Sequence, residues 1–108
     1  MINIDTAIYN ALEEFNSTNT LGDNAQTPYV VFSILKDNFY TRDAIVYRQD
    51  VQLTIDVVTD TYDEGDIIAA QVASKIQSLS VSISRHGVED SVIEEKYIKT
   101  LDYTLINI

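Results

Sequence analysis

The chain has 108 residues, with 17 acidic against 7 basic side chains, a net charge of -10 and no cysteine. That length suits one domain, and 45% hydrophobic residues are enough for a core without a disulfide or metal staple. The charge argues against general nucleic-acid binding and against docking on anionic lipid, while the missing thiols exclude disulfides, thiol catalysis and thiolate metal sites.

The chain starts Met1-Ile2-Asn3-Ile4-Asp5, without a basic and apolar leader, and no apolar stretch approaches membrane-spanning length. A soluble protein, intracellular where it is made, is the expectation. Ile4, Ile8, Ala11, Leu12 and Phe15 recur at helical spacing. Asn3 suits the N-cap, Asp5 suits the first turn, and the helix is expected to end near Asn16-Ser17. The polar stretch from Ser17 to Pro28 reads as a long loop of the kind that is usually functional or mobile. Pro28 favours an extended Thr27 before it.

Tyr29 to Leu35 is rich in β-branched and aromatic residues and reads as the first strand. Lys36 to Ala44 reads as a connection, with Phe39 and Tyr40 set among charged neighbours. Ile45 to Val58 is the clearest element. Ile45, Tyr47, Val51, Leu53, Ile55 and Val57 alternate with Val46, Arg48, Asp50, Gln52, Thr54, Asp56 and Val58, which makes a long strand with one apolar and one mostly polar face. Such a strand belongs to an antiparallel sheet covered on one side.

Thr61-Tyr62-Asp63-Glu64 matches a capping box. The helix it opens carries an apolar stripe of Ile68, Val72, Ile76 and Leu79, with Ala69 and Ala73 beside it. Gly65 weakens its first turn. Val81 to Arg85 alternates as a third strand, and His86-Gly87 reads as its exit turn. Val88 to Glu95 is ambiguous, a loop or a short strand at Ser91 to Glu94. Tyr97 to Ile106 is the last strand. The expected fold is therefore α+β, in the order α-β-β-α-β-β, with a mainly antiparallel four-stranded sheet and both helices on one face.

The residues offer little chemistry. His86 is the only histidine, and it reads as an exposed turn residue rather than part of a triad or a metal site. The carboxylates from Asp56 to Asp66 do not keep the register of a calcium loop, and helix-start acids on a wet surface explain them. The three glycines are isolated, so no phosphate-cradling loop exists. No acid–base pair stands out. No enzyme, no cofactor and no metal is the expectation. Tyr29, Tyr47 and Tyr103 read as core or sheet residues. Phe39 and Tyr40 read either as local packing or as an interface. The polar face from Arg48 to Asp56 either meets water or packs on a neighbouring subunit, with Arg48 as a bidentate partner for a carboxylate.

Several segments taken together resemble the tail-completion proteins, or tail terminators, of long-tailed bacteriophages. They are the short first helix, the loop ending Thr27-Pro28-Tyr29-Val30-Val31-Phe32, and the strand from Tyr47 to Val57. Thr61 to Gly65 opening an Ala-rich helix and the final stretch Tyr97 to Leu105 complete the set. The resemblance spans nearly the whole chain and rests on structural patterns rather than on a chemical signature. It implies a ring, typically a hexamer, at the head–tail junction of the virion. Such a ring stops tube polymerisation and joins the tail tube to the head connector while DNA passes through. Its partners would be further copies of the chain, the major tail tube protein and a head-completion or connector protein.

In that setting Phe39, Tyr40, Arg42 and Arg48 are interface candidates. Asp23, Asp60, Asp63, Glu64 and Asp66 are candidates for an acidic lumen wall that does not hold DNA. Another neck protein, such as a head-completion or adaptor ring, is an alternative. So is a small acidic module that binds a ligand or peptide.

Overall fold

A computed structural model describes residues 2–15, 17, 18 and 28–108. The expected loop through Asp23 and Thr27 therefore lies largely outside the described residues. Helix α1 spans Ile4–Leu12 and runs into a 3-10 turn at Glu13–Phe15. Its cap is the expected one: Asn3 is extended, and its side-chain oxygen accepts from the Thr6 N–H at 3.2 Å. Helix α2 spans Tyr62–Gln77, with Thr61 capping the Glu64 N–H at 3.2 Å.

The sheet has five strands: β1 Ser17–Thr18, β2 Tyr29–Arg42, β3 Ile45–Thr59, β4 Ser82–Ile93 and β5 Lys96–Asn107. Their spatial order is β1-β2-β3-β5-β4. The α+β order holds, but there are five strands rather than four. The extra one, β1, is a two-residue segment that pairs parallel to β2, too short to leave a sequence pattern. All other pairings are antiparallel.

Two stretches read as irregular are in fact strand. Lys36 to Arg42 continues β2, so the expected connection shrinks to Asp43-Ala44. His86 to Ile93 continues β4, so His86-Gly87 is no exit turn. Both hairpins close through two residues with positive φ, Asp43 and Ala44 (53° and 65°) and Glu94 and Glu95 (51° and 66°). These are primed turns, which match the twist of the strands but normally recruit Asn-Gly or Asp-Gly.

Both helices cover the same sheet face, as expected. Ile4, Ile8 and Leu12 of α1 and Ala69, Val72 and Ile76 of α2 pack on Val51, Leu53, Ile55, Val57, Leu101, Tyr103 and Leu105. Gly65 has a structural reason: a Cβ there would lie 3.0 Å from the Thr59 hydroxyl, which donates to the Thr61 carbonyl at 2.8 Å. A bare backbone lets the first turns of α2 sit down on the end of β3.

Three bulges interrupt the ladders, with Leu35, Tyr47 and His86 as the extra residues. The molecule is long, 52 × 23 × 21 Å.

Candidate functional site: the two ends of the sheet

Strand β5 stops at Asn107, opposite Gln49, while β2 and β3 run on to the turn at Asp43-Ala44. The four residues Ile45 to Arg48, with their β2 partners, therefore overhang the sheet as a two-stranded arm about 14 Å long.

A polar clasp marks where the core ends and the arm begins. Asn107 donates to the Gln49 side-chain oxygen at 3.0 Å and to the Ile2 carbonyl at 2.7 Å, and Gln49 donates to Asp37 at 2.9 Å. Gln49 and Asn107 are both buried. Each sits at an apolar-face position of its strand, so the core is sealed by paired polar groups rather than by another aliphatic layer.

Beyond the clasp the arm has no helix over it. Phe39, Tyr40, Ile45, Val46 and Tyr47 are 57%, 41%, 69%, 41% and 51% exposed. The sequence expectation that Ile45 and Tyr47 lie on the strand's apolar, covered face is corrected here; Tyr47, expected as a core or sheet residue, is an exposed residue of the sheet. The bulge at Tyr47 breaks the alternation, and β5 ends before it can support either residue. Residues opposite each other share a face, so Tyr40, Arg48, Arg42 and Ile45 lie on one side of the arm, and Phe39, Thr41 and Val46 on the other. Both faces carry apolar groups, and neither rim of the arm is paired among the described residues.

All four interface candidates, Phe39, Tyr40, Arg42 and Arg48, belong to this one arm or its root. Arg48 grips Asp50 with two bonds, Nε to Oδ1 at 2.7 Å and the second nitrogen to Oδ2 at 3.0 Å, and its guanidinium lies 5.4 Å from the Tyr40 ring centre. That hydrogen bonding raises the Arg48 pKa and holds the Asp50 carboxyl below its ordinary value. Arg48 thus finds its carboxylate within its own strand. Arg42 makes no ion pair among the described residues.

The other end of the sheet is acidic. A groove of about 250 Å³ lies between the first turns of α2 and the β4–β5 hairpin, lined by Tyr62, Gly65, Asp90, Val92, Tyr97 and Lys99 among others. Tyr62 and Tyr97 meet edge to face, 6.5 Å apart, and remain 48% and 38% exposed; Val92 is 61% exposed. The Lys99 ammonium sits 5.3 Å from the Tyr62 ring centre and bridges Asp66 at 2.7 Å and Asp90 at 3.0 Å. Hydrogen bonding to Asp66, then to Asp90, raises the Lys99 pKa. One lysine thus serves two aspartates, Asp90 in the groove wall and Asp66 outside its lining.

The acidic lumen candidates are divided by this arrangement. Asp23 lies outside the described residues. Asp60, Asp63, Glu64 and Asp66 gather at the groove end, but not as four free charges. Lys96 bonds Asp60 at 2.6 Å, which raises the Lys96 pKa, and Asp66 is held by Lys99. Asp63 and Glu64 stand in the first turn of α2.

The mostly polar sheet face is knitted across strands: Thr54 donates to Asp102 at 2.8 Å, Thr100 donates to Asp56 at 2.6 Å, and His86 pairs with Thr104. Tyr29, Val31, Val58 and Ile98 form a small apolar cluster there. His86 is exposed, as expected, but it is a strand residue at a bulge rather than a turn residue.

Sequence reasoning missed Ile45 and Val46 in the arm and Tyr62, Val92, Tyr97 and Lys99 in the groove. A signal existed for the arm alone: Ile45-Val46-Tyr47 puts three apolar residues in succession, which no half-buried strand needs. Among the described residues no cluster of acidic or histidine side chains is arranged to hold a metal, and no helix is long and apolar enough to cross a membrane. Compared with known proteins, the chain matches no family model and no curated sequence.

Proposed function

We propose that the chain is a structural ring subunit of the head–tail junction of a long-tailed phage virion. Copies joined head to tail would cap the tail tube, end its polymerisation and join it to the head connector, with DNA passing through the hole. Six copies is the ring size that the resemblance implies. The observation that carries the reading is the overhanging arm, apolar on both faces, at the opposite end of a 52 Å molecule from an acidic, aromatic-lined groove. Two different patches at opposite ends favour heterologous contacts, which generate rings or filaments rather than two-fold dimers. The net charge of -10 suits a channel that must not retain phosphates. No residue is assigned a catalytic role, and no cofactor is required.

Solution mass measurement and negative-stain imaging, alone and with the tail tube protein of the same virion, test this. Rings and tubes of defined length are expected. Monomers at all concentrations, with no effect on tube length, would overturn it. An adaptor ring on the portal would instead assemble without tube ends. A peptide-binding module is the second reading, favoured by the groove at Tyr62 and Tyr97. It predicts a monomer whose melting temperature rises with a bound peptide.

A further inference from the structure

We infer that the arm of one copy seats in the acidic groove of the next copy, Ile45 and its apolar neighbours entering between Tyr62, Val92 and Tyr97 while Arg42 faces Asp66 and Asp90. This rests on the ring reading and names the two surfaces that would build the ring. Charge complementarity selects the occupant. Lys36, Arg42 and Arg48 balance Asp37, Asp43 and Asp50, so residues 36–50 are neutral in a chain of net charge -10. The arm thus lacks the net negative charge that the strongly acidic remainder of another copy would repel. The segments 59–66 and 88–99 that flank the groove carry Asp60, Asp63, Glu64, Asp66, Glu89, Asp90, Glu94 and Glu95 against Lys96 and Lys99.

Arg42 is a cation without an ion pair among the described residues, while Asp90 in the groove wall and Asp66 outside its lining share the one ammonium of Lys99. The two match. Size agrees as well. A groove of about 250 Å³ is smaller than usual small-molecule sites and suits one or two inserted side chains.

The arm cannot reach its own groove. Gln49 at the arm's root and Thr59 at the groove lie ten residues apart on one extended strand, roughly 34 Å. The contact must therefore be made between copies. Leaving Phe39, Tyr40, Ile45 and Tyr47 uncovered on a projecting ribbon would otherwise invite unspecific pairing.

The natural chain has no cysteine, so disulfide trapping can be made specific. The double variant Ile45→Cys with Val92→Cys should give an oxidised ladder of linked chains that ends at the ring size. Either single variant should stay unlinked. Both positions are exposed, so folding is retained and can be checked by circular dichroism. In parallel, Arg42→Glu should weaken self-association at least tenfold, read by sedimentation. An arm variant (Arg42→Glu with Ile45→Asp) mixed with a groove variant (Val92→Asp) should form dimers that go no further.

Linking by Ile45→Cys alone would show arm-to-arm contact and overturn the inference. Rings that form without a ladder, and that tolerate Arg42→Glu, would overturn it and leave the ring reading standing. A wild-type chain that is monomeric even with tube ends would overturn both.

Discussion

Asn107 donates its side-chain N–H to the Gln49 side-chain oxygen at 3.0 Å, tying the end of the last strand to the point where the β2–β3 hairpin leaves the sheet. The same Asn107 side chain also holds both the N–H and the carbonyl of Ile2, at 3.2 and 2.7 Å. One buried amide therefore joins the start of α1, the end of β5 and the root of the arm. Asn107→Ala would leave these groups buried without partners, at a cost of roughly 2 kcal/mol. A fall in Tm of about 10 °C is expected in a thermal melt. A fall within 2 °C, about a few tenths of a kcal/mol, would mean that the clasp contributes little.

Tyr103 is 2% exposed, and its hydroxyl has no hydrogen-bond partner. Burial raises its pKa, and Arg85, across the ladder, opposes the shift by its charge without a bond of normal geometry. Tyr103→Phe removes the orphaned group and should stabilise by about 1 kcal/mol in urea unfolding. The sign with pH follows from the raised value. The unfolded tyrosine ionises first, so its neutral burial supports folding below the ordinary pKa near 10 and loses stability as pH rises above it. Tyr103→Phe should flatten that alkaline decline.

Lys99 is 13% exposed and shared by Asp66 and Asp90. Its raised pKa means that the stabilisation is complete below the ordinary lysine value of 10.5 and is lost as pH climbs through the folded value. Lys99→Met should cost roughly 1 kcal/mol and loosen the seating of α2 on β5. Amide exchange in the first turn of α2 should speed up more than exchange in β3.

The Arg48–Asp50 pair lies on the surface, so its effect is local. The lowered Asp50 pKa makes its contribution present above the ordinary carboxylate value and lost as pH falls through the folded one. Arg48→Ala should move the Asp50 titration upward, toward the ordinary value of 3.8, as followed by carboxyl NMR shifts. The same variant should leave Tm nearly unchanged.

Ala44 and Glu95 hold φ values of 65° and 66°, a region that side chains enter at a cost. Ala44→Gly should raise stability by roughly 1 kcal/mol, and Ala44→Val should lower it by more, in chemical denaturation.

Those two turns also explain where the sequence was opaque. Asp43-Ala44 and Glu94-Glu95 lack glycine, so neither announces a primed hairpin, and the strand residues before each turn read as a connection or as ambiguous. The caps were legible because Asn3 and Thr61 use local chemistry that no tertiary contact can replace. The core stretches of β3 and β5 were legible because each keeps strict alternation beneath the helices. Gln49 and Asn107 were not, since a polar residue at an apolar position makes sense only beside its partner. Phe39 and Tyr40 stood out as bulk among charges. Their setting on a free arm depended on β5 stopping at Asn107, a fact about another segment of chain.

The bulge at Tyr47 makes the tip sensitive to the length of the chain rather than to its chemistry. Removing that single residue would restore unbroken pleating, leave Ile45 and Val46 on the sides they already occupy, and take out the local bend and added twist of a bulge, while the helix-covered interior stayed as it is. A one-codon deletion there could re-aim the tip without unfolding the protein, and natural variation in that spot would change which neighbours fit before it changed whether the chain folds.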